Sequence, residues 1–436
     1  MQIQTSSKFL DSNLAAPPEI DQIKLKQSHT MNFNIEQIQF FLFVAAIVAM
    51  VARLIKIPYT IGLVIAGIAI SFIPFSSDVG LSKELVFMIF LPALVFEAAL
   101  YIPWPELKQD FPVALTLATL GVLLSAGIIT LGMHYLVGWS WQIAMVFGIL
   151  ISATDPVSVI ATFKETGVKG RLRLLVESES LFNDTMAAVG FGIAIALATG
   201  HPTDLVSTIV MLSTTISGGI LSGALVAGGL LLLAGKTEDP LVEITFTSVA
   251  AYGSFFLAEH FHCSGVLASL TAGLIVGNLG SMGSISDQGR KSVEAFWEYV
   301  TFVVNSLIFL LIGIQESQES LALFITPILV AILLVLLGRA LSIYPLSALF
   351  SFSTWSLKPT HQHALVWGGL RGALSLALAL GLPAEIPQRT EIITVTFGVV
   401  AFSVFVQGLT MEPMLKAMGE IPKAAELVSK LPDQSS

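Results

Sequence analysis

The chain has 436 residues, of which 54% are hydrophobic and 12% charged, with a formal net charge of -9. An average soluble domain carries about 25% charged residues, so a soluble fold would lack the polar surface to cover this much apolar side chain. The lone cysteine, Cys263, excludes an intramolecular disulfide and any multi-cysteine metal site; the net charge says little about partners, since most charges fall in short loops, and no nucleic-acid partner is expected.

Residues 1–37 mix charges of both signs with Pro17-Pro18 and contain no apolar run, which marks a polar N-terminal tail rather than a secretory signal peptide. From residue 38 to 416, apolar runs of about 20 residues follow one another, the length a helix needs to cross about 30 Å of hydrocarbon. Because the runs are continuous rather than alternating, they describe helices and not a barrel. Turn and charge signals divide them into about thirteen spans. These centre near Phe43, Val64, Leu91, Leu120, Leu150, Met186, Ile220, Ala251, Leu270, Ser306, Leu333, Ala373 and Val400. Residues 417–436 are expected to form a short cytoplasmic tail.

Arg339 and Arg371 fall inside spans. With the N-terminus outside and thirteen crossings, 14 of the remaining lysines and arginines face the cytoplasm, and Lys8, Lys24, Lys26, Lys83 and Arg389 face out. That asymmetry satisfies the positive-inside rule, with Lys164 to Arg173 as the strongest inward anchor, and places the C-terminus in the cytoplasm.

Several carboxylates interrupt the apolar runs, where each costs about 2.5 to 3.5 kcal/mol on insertion scales, so a function is expected of them. Glu97 ends the third span between apolar neighbours. Thr154-Asp155-Pro156 sits in the middle of the fifth. Proline brings no N–H and biases Asp155 away from helical dihedrals, so carbonyls one turn back lose their partners and the helix breaks. Those carbonyls, the Thr154 hydroxyl and the Asp155 carboxylate offer oxygen ligands to a hard cation.

In the sixth span, Glu179-Ser180-Leu181-Phe182-Asn183-Asp184 sorts into two faces: Ser180 with Asp184, and Glu179 with Asn183 about 100° away. Asp184, deeper in the span, is the expected exchangeable site. Glu179 needs a buried cation, and Arg371 in Gly369-Leu370-Arg371-Gly372 is the expected structural partner.

A faint internal repeat supports an inverted architecture. Gly62 to Ile68 resembles Ala268 to Leu274, Glu97 then falls opposite Asn305, and Val146-Phe147-Gly148 aligned with Val366-Trp367-Gly368 sets Ser152 to Pro156 against Gly372 to Leu376. The paired segments lie seven spans apart, an odd number, so the repeats are inverted in the membrane, as in many secondary transporters.

Thr154-Asp155-Pro156-Val157, Glu179 to Asp184, Phe96-Glu97-Ala98 and Gly369 to Gly372 together resemble the motifs of NhaP-type sodium/proton antiporters of the monovalent cation/proton antiporter superfamily, in the same order and at the same spans. The resemblance implies an all-α membrane protein with an NhaA-like fold of inverted six-helix repeats, broken helices crossing in the fifth and twelfth spans, and a homodimer. It implies that Asp184 carries Na+ or H+, with Asp155, Ser180 and the Thr154 backbone completing the Na+ shell and Glu97 an accessory ligand. Asn183 would fasten the sixth helix to the unwound segment near Thr154, and Glu179 would pair with Arg371. Asn183 before Asp184 resembles the electroneutral branch. Thr185 stands where relatives carry glycine, and its hydroxyl can bond back along the helix.

The expected function is therefore exchange of Na+ or Li+ for H+ in the plasma membrane of a prokaryote, serving pH homeostasis without a cofactor. K+/H+ exchange at the same site is the alternative, and a cation channel a weaker one, since no repeated pore loop is present. No Walker motif or G-x-S-x-G elbow suggests an enzyme. His260-x-His262 and His361-x-His363 fall on opposite membrane faces, so they are not expected to share a metal.

Overall fold

Every regular element among the described residues of the computed structural model, which are 35–55, 58–72, 85–199, 205–235, 237–280, 285–318, 321–383 and 385–421, is helical. The expected polar tails fall outside them except for residues 35–37 and 417–421. Residues Met1–Phe41 and Leu42–Ser436 are separate units. In the first, the described residues open α1 (Ile35–Ile55); the account below concerns the second.

In chain order there follow α2 (Tyr59–Ser71), α3 (Leu91–Leu100), α4 (Trp104–Gly132), α5 (Trp141–Leu150), α6 (Val157–Thr166), α7 (Arg171–Ala198), α8 (Leu205–Ala234), α9 (Pro240–His260), α10 (Gly265–Leu279) and α11 (Asp287–Gln318). The series ends with α12 (Ile325–Leu349), α13 (Pro359–Trp367), α14 (Ala373–Leu380), α15 (Arg389–Phe402) and α16 (Leu409–Met418). A π-helical turn, Ser403–Gly408, joins α15 to α16 as one long run. Local chemistry sets the boundaries. Ser140 caps α5 by accepting from Ile143 N, Ser264 does the same for α10 through Leu267 N, and Asp239 caps α9 just ahead of Pro240.

Eight of these helical runs are long and apolar enough to cross a bilayer unaided, and short apolar helices lie at other expected spans. Large apolar side chains such as Leu123, Leu225 and Leu232 stand more than half exposed. Exposed apolar side chains on helices of this length are suited to lipid rather than water.

The two expected breaks are present. The chain leaves helical conformation from Ile151 to Pro156, between α5 and α6, and again from Gly368 to Gly372, between α13 and α14. The repeat alignment set the second break at Gly372 to Leu376, about one turn too late. α13 ends there at its cap Gly368 and α14 starts after Gly372, whereas Pro156 governs the first break.

Packing agrees with inverted repeats. Gly67 lets α2 approach the α11 backbone at Leu310 and Gly313, and Gly273, its counterpart in the repeat, lets α10 approach the α3 backbone at Phe96. A Cβ at either position would overlap a main-chain carbonyl oxygen. Each repeat therefore supplies the neighbour for a helix of the other, the relation that the pairing of Glu97 with Asn305 requires.

Candidate functional site

The breaks meet. Asp155 N donates to Leu370 O at 2.8 Å, so the first unwound segment is hydrogen-bonded directly to the second. Pro156 cannot donate to Ser152 O, as a helical residue there would. Arg371 Nη1 takes that carbonyl at 2.6 Å and Ala153 O at 2.9 Å. One nitrogen of the guanidinium thus serves the broken end of α5, where the helix dipole also favours a cation. Its Nε and Nη2 are buried without a hydrogen-bond partner.

Asp155 serves the opposite ends. Its Oδ1 accepts from Val157 N at 2.9 Å, and its Oδ2 lies 3.5 Å from Ala373 N, so one carboxylate caps the N-termini of both α6 and α14. A Cβ on Gly372 would overlap Asp155 Oδ2 and crowd its Cβ and Cγ, which is why glycine is needed at this crossing. Gly372→Ala is expected to push the Asp155 carboxylate off both caps. Cation exchange by reconstituted protein should fall at least tenfold, a loss typical of sub-ångström misplacement; exchange within twofold of wild type would show that the close fit has no functional weight.

On α7, the two expected faces are realised. Ser180 Oγ donates to Thr154 O in a short hydrogen bond, and Thr154 Oγ1 donates to Ser180 Oγ at 3.3 Å. Ser180, rather than Asn183, therefore fastens α7 to the unwound segment. Asn183 instead turns to the neighbouring face and donates through Nδ2 to Glu179 Oε1 at 3.2 Å, leaving its Oδ1 buried and unpartnered.

Asp184, one turn beyond Ser180, has a buried Oδ1 with no donor. The charged groups facing it are Asp155, Glu179 and Arg371. A buried carboxylate oxygen without a partner is costly. Thr185 Oγ1 bonds back to Leu181 O at 3.1 Å, as expected from its place in the helix.

The expected Glu179–Arg371 ion pair is not formed. Glu179 is held by Arg339 of α12, with Nη1 on Oε1 and Nη2 on Oε2, both at 2.7 Å, while Arg339 Nε donates to Leu365 O of α13 at 3.1 Å. A parallel two-point fork suits the planar Arg339 guanidinium, and Arg371 is turned instead to the carbonyls at the broken end of α5. Arg339 was visible in the sequence as a second arginine in mid-run, in Leu337-Gly338-Arg339-Ala340, and the requirement that every buried cation have a partner applies to it equally.

Glu97 is half-buried on α3 and faces Lys164, Glu177, Glu298 and Arg173. Nearer the crossing, buried Thr60 on α2 shares a 2.9 Å hydrogen bond with Ser158 on α6. The two histidine pairs lie apart, at the α9–α10 corner and on α13, and among the described residues no group of three or more His, Cys, Asp or Glu could hold a metal.

Two helices broken in mid-bundle and crossing beside a buried carboxylate define the inverted-repeat class of secondary transporters. The profile described as "Sodium/hydrogen exchanger, transmembrane" matches residues 41–417. The low-affinity Na(+)/H(+) antiporter NhaS1 of Synechocystis sp. is 40% identical over 423 residues, covering 93% of this chain and 80% of that one. The Na(+)/H(+) antiporter ApNhaP of Aphanothece halophytica is 41% identical over 400 residues, with 90% and 76% covered. Among solved structures, the sodium proton antiporter MjNhaP1 of Methanocaldococcus jannaschii has the same fold, with a TM-score of 0.73 over 89% of this chain and 98% of that one at 20% identity. The chain belongs to the sodium/hydrogen exchanger family.

Proposed function

We propose that this protein exchanges Na+ or Li+ for H+ across a prokaryotic plasma membrane, with Asp184 as the shared carrier. The observation that carries this reading is the buried, donorless Oδ1 of Asp184, one turn from the Ser180 that is bonded to the unwound segment. Either H+ or Na+ neutralises the carboxylate, so the two compete for it. The empty carrier keeps an uncompensated charge and crosses poorly, which couples the two fluxes. One proton for one monovalent cation makes the exchange electroneutral.

Asp155, Ser180 and Thr154 complete the Na+ shell in this reading, and Glu97 lies on the approach to it. The C-terminus is cytoplasmic and the N-terminus outside. The names of the relatives specify Na+, which favours Na+ over K+ as the cargo.

The test uses proteoliposomes with an acid interior. Adding Na+ or Li+ outside is expected to alkalinise the interior without generating a membrane potential, and K+ is expected to have little effect. Alkalinisation by K+ alone, or a potential set up by Na+, would overturn the corresponding part of the reading. The homodimer is checked by light scattering on the same preparation, where a monomer would exclude it.

A further inference from the structure

The half-helices that build the crossing are short. α5 has 10 residues and α14 has 8, below the length at which a helix holds itself together. Their position therefore depends on how their ends are fastened. At the crossing they are joined through the Asp155, Leu370 and Arg371 contacts. At the ends remote from it, both are fastened to a single turn of chain, Gln388–Glu391, at the start of α15.

Glu391 Oε1 accepts from the Trp139 indole Nε1 at 2.9 Å, and its Oε2 accepts from Gln388 Nε2 at 3.1 Å. Trp139, 2% exposed, precedes α5 and packs edge-on against Phe147 within it. His134 Nδ1 donates to Trp139 O at 2.6 Å, so the tryptophan is held from both sides. Next to Glu391, Arg389 donates to Leu380 O at 3.0 Å and Leu382 O at 2.9 Å, closing the C-terminal carbonyls of α14. Gln388, at φ 59, takes a left-handed conformation as the chain enters this turn.

We propose that Glu391 is a positioning residue for the cation site: through Trp139 on one side and the neighbouring Arg389 on the other, it keeps α5 and α14 in one register, and so sets the spacing of the oxygen ligands on the unwound segments. The inference rests on the Na+/H+ exchange reading above. Loosening the clamp displaces ligands without removing any of them, so the apparent affinity for Na+ falls more than turnover does.

The experiment measures Na+ dependence of exchange in proteoliposomes for wild type, Glu391→Ala, Trp139→Phe, the double variant and Glu391→Gln. Apparent KM for Na+ is expected to rise about threefold or more in each of the first two variants, since small ligand displacements are costly. The double variant should be no worse than the poorer single, because both break one contact. Glu391→Gln keeps an oxygen for the indole and should stay within about twofold of wild type. Na+-induced stabilisation of the purified proteins, read as the Na+ concentration giving half the rise in Tm, reports the same affinity without requiring turnover. KM values within twofold of wild type in Glu391→Ala and Trp139→Phe, or additive losses in the double variant, would overturn the proposal. An inactive wild type would instead sink the exchange reading on which it rests.

Discussion

Asp184→Asn is expected to reduce Na+-driven alkalinisation to the background of protein-free vesicles, while the protein still reaches the membrane and purifies as a folded species. The amide imitates the filled, neutral carrier in shape and charge, but it neither releases a proton nor binds Na+ in exchange for one. Stability should move the other way from activity. Wild type buries a carboxylate oxygen with no donor, and removing that charge removes its desolvation cost, so Tm is expected to hold or rise. Exchange above about a tenth of wild type would move the carrier role to another carboxylate, with Asp155 next in line, since general electrostatic preorganisation alone does not supply a titrating group.

The second large effect belongs to Glu179 and Arg339. Removing one partner leaves the other charged and buried, at a cost of about 3 to 5 kcal/mol. Glu179→Gln and Arg339→Ala are each expected to lower Tm and yield sharply. Glu179→Gln/Arg339→Ala should lose clearly less than the sum of the two, because neither charge is then left alone. Strictly additive losses would contradict a pair joined at two points. The fork lies where α7, α12 and α13 meet, through Leu365 O, so its loss is expected to loosen three helices and not one.

Much of the arrangement was legible in the primary structure because the membrane simplifies the problem. Apolar length marks a helix, and a pre-proline aspartate in mid-span marks a break. The i, i+4 spacing of Ser180 with Asp184 and of Glu179 with Asn183 separated the face that meets Thr154 from the face that meets a cation. Two choices among partners were not legible. Spacing along α7 says which way Glu179 points, but not whether α12 or the α13–α14 break stands opposite; the fold puts Arg339 of α12 there, while Arg371 Nη1 turns to Ser152 O and Ala153 O. Likewise Ser180 and Asn183 both carry groups able to bind Thr154, and only the approach of the unwound segment selects the serine. Trp139 and Glu391 left no local signal, since a loop tryptophan and a helix-start glutamate are ordinary until the fold brings them to 2.9 Å across 252 positions.

Ser152 and Ala153 bond to a side chain that lies 219 and 218 residues further along the chain. During synthesis, the fifth span is therefore threaded into lipid long before its own donors exist. Until Arg371 arrives, the interrupted segment carries bare carbonyls in a medium that offers no water to answer them. The nascent half-protein must shelter that defect against neighbouring helices, or keep it near the headgroups, for the time it takes to make the rest. A chain cut short ahead of Arg371 loses more than its last helices, because it also loses the groups that let its earlier ones remain broken.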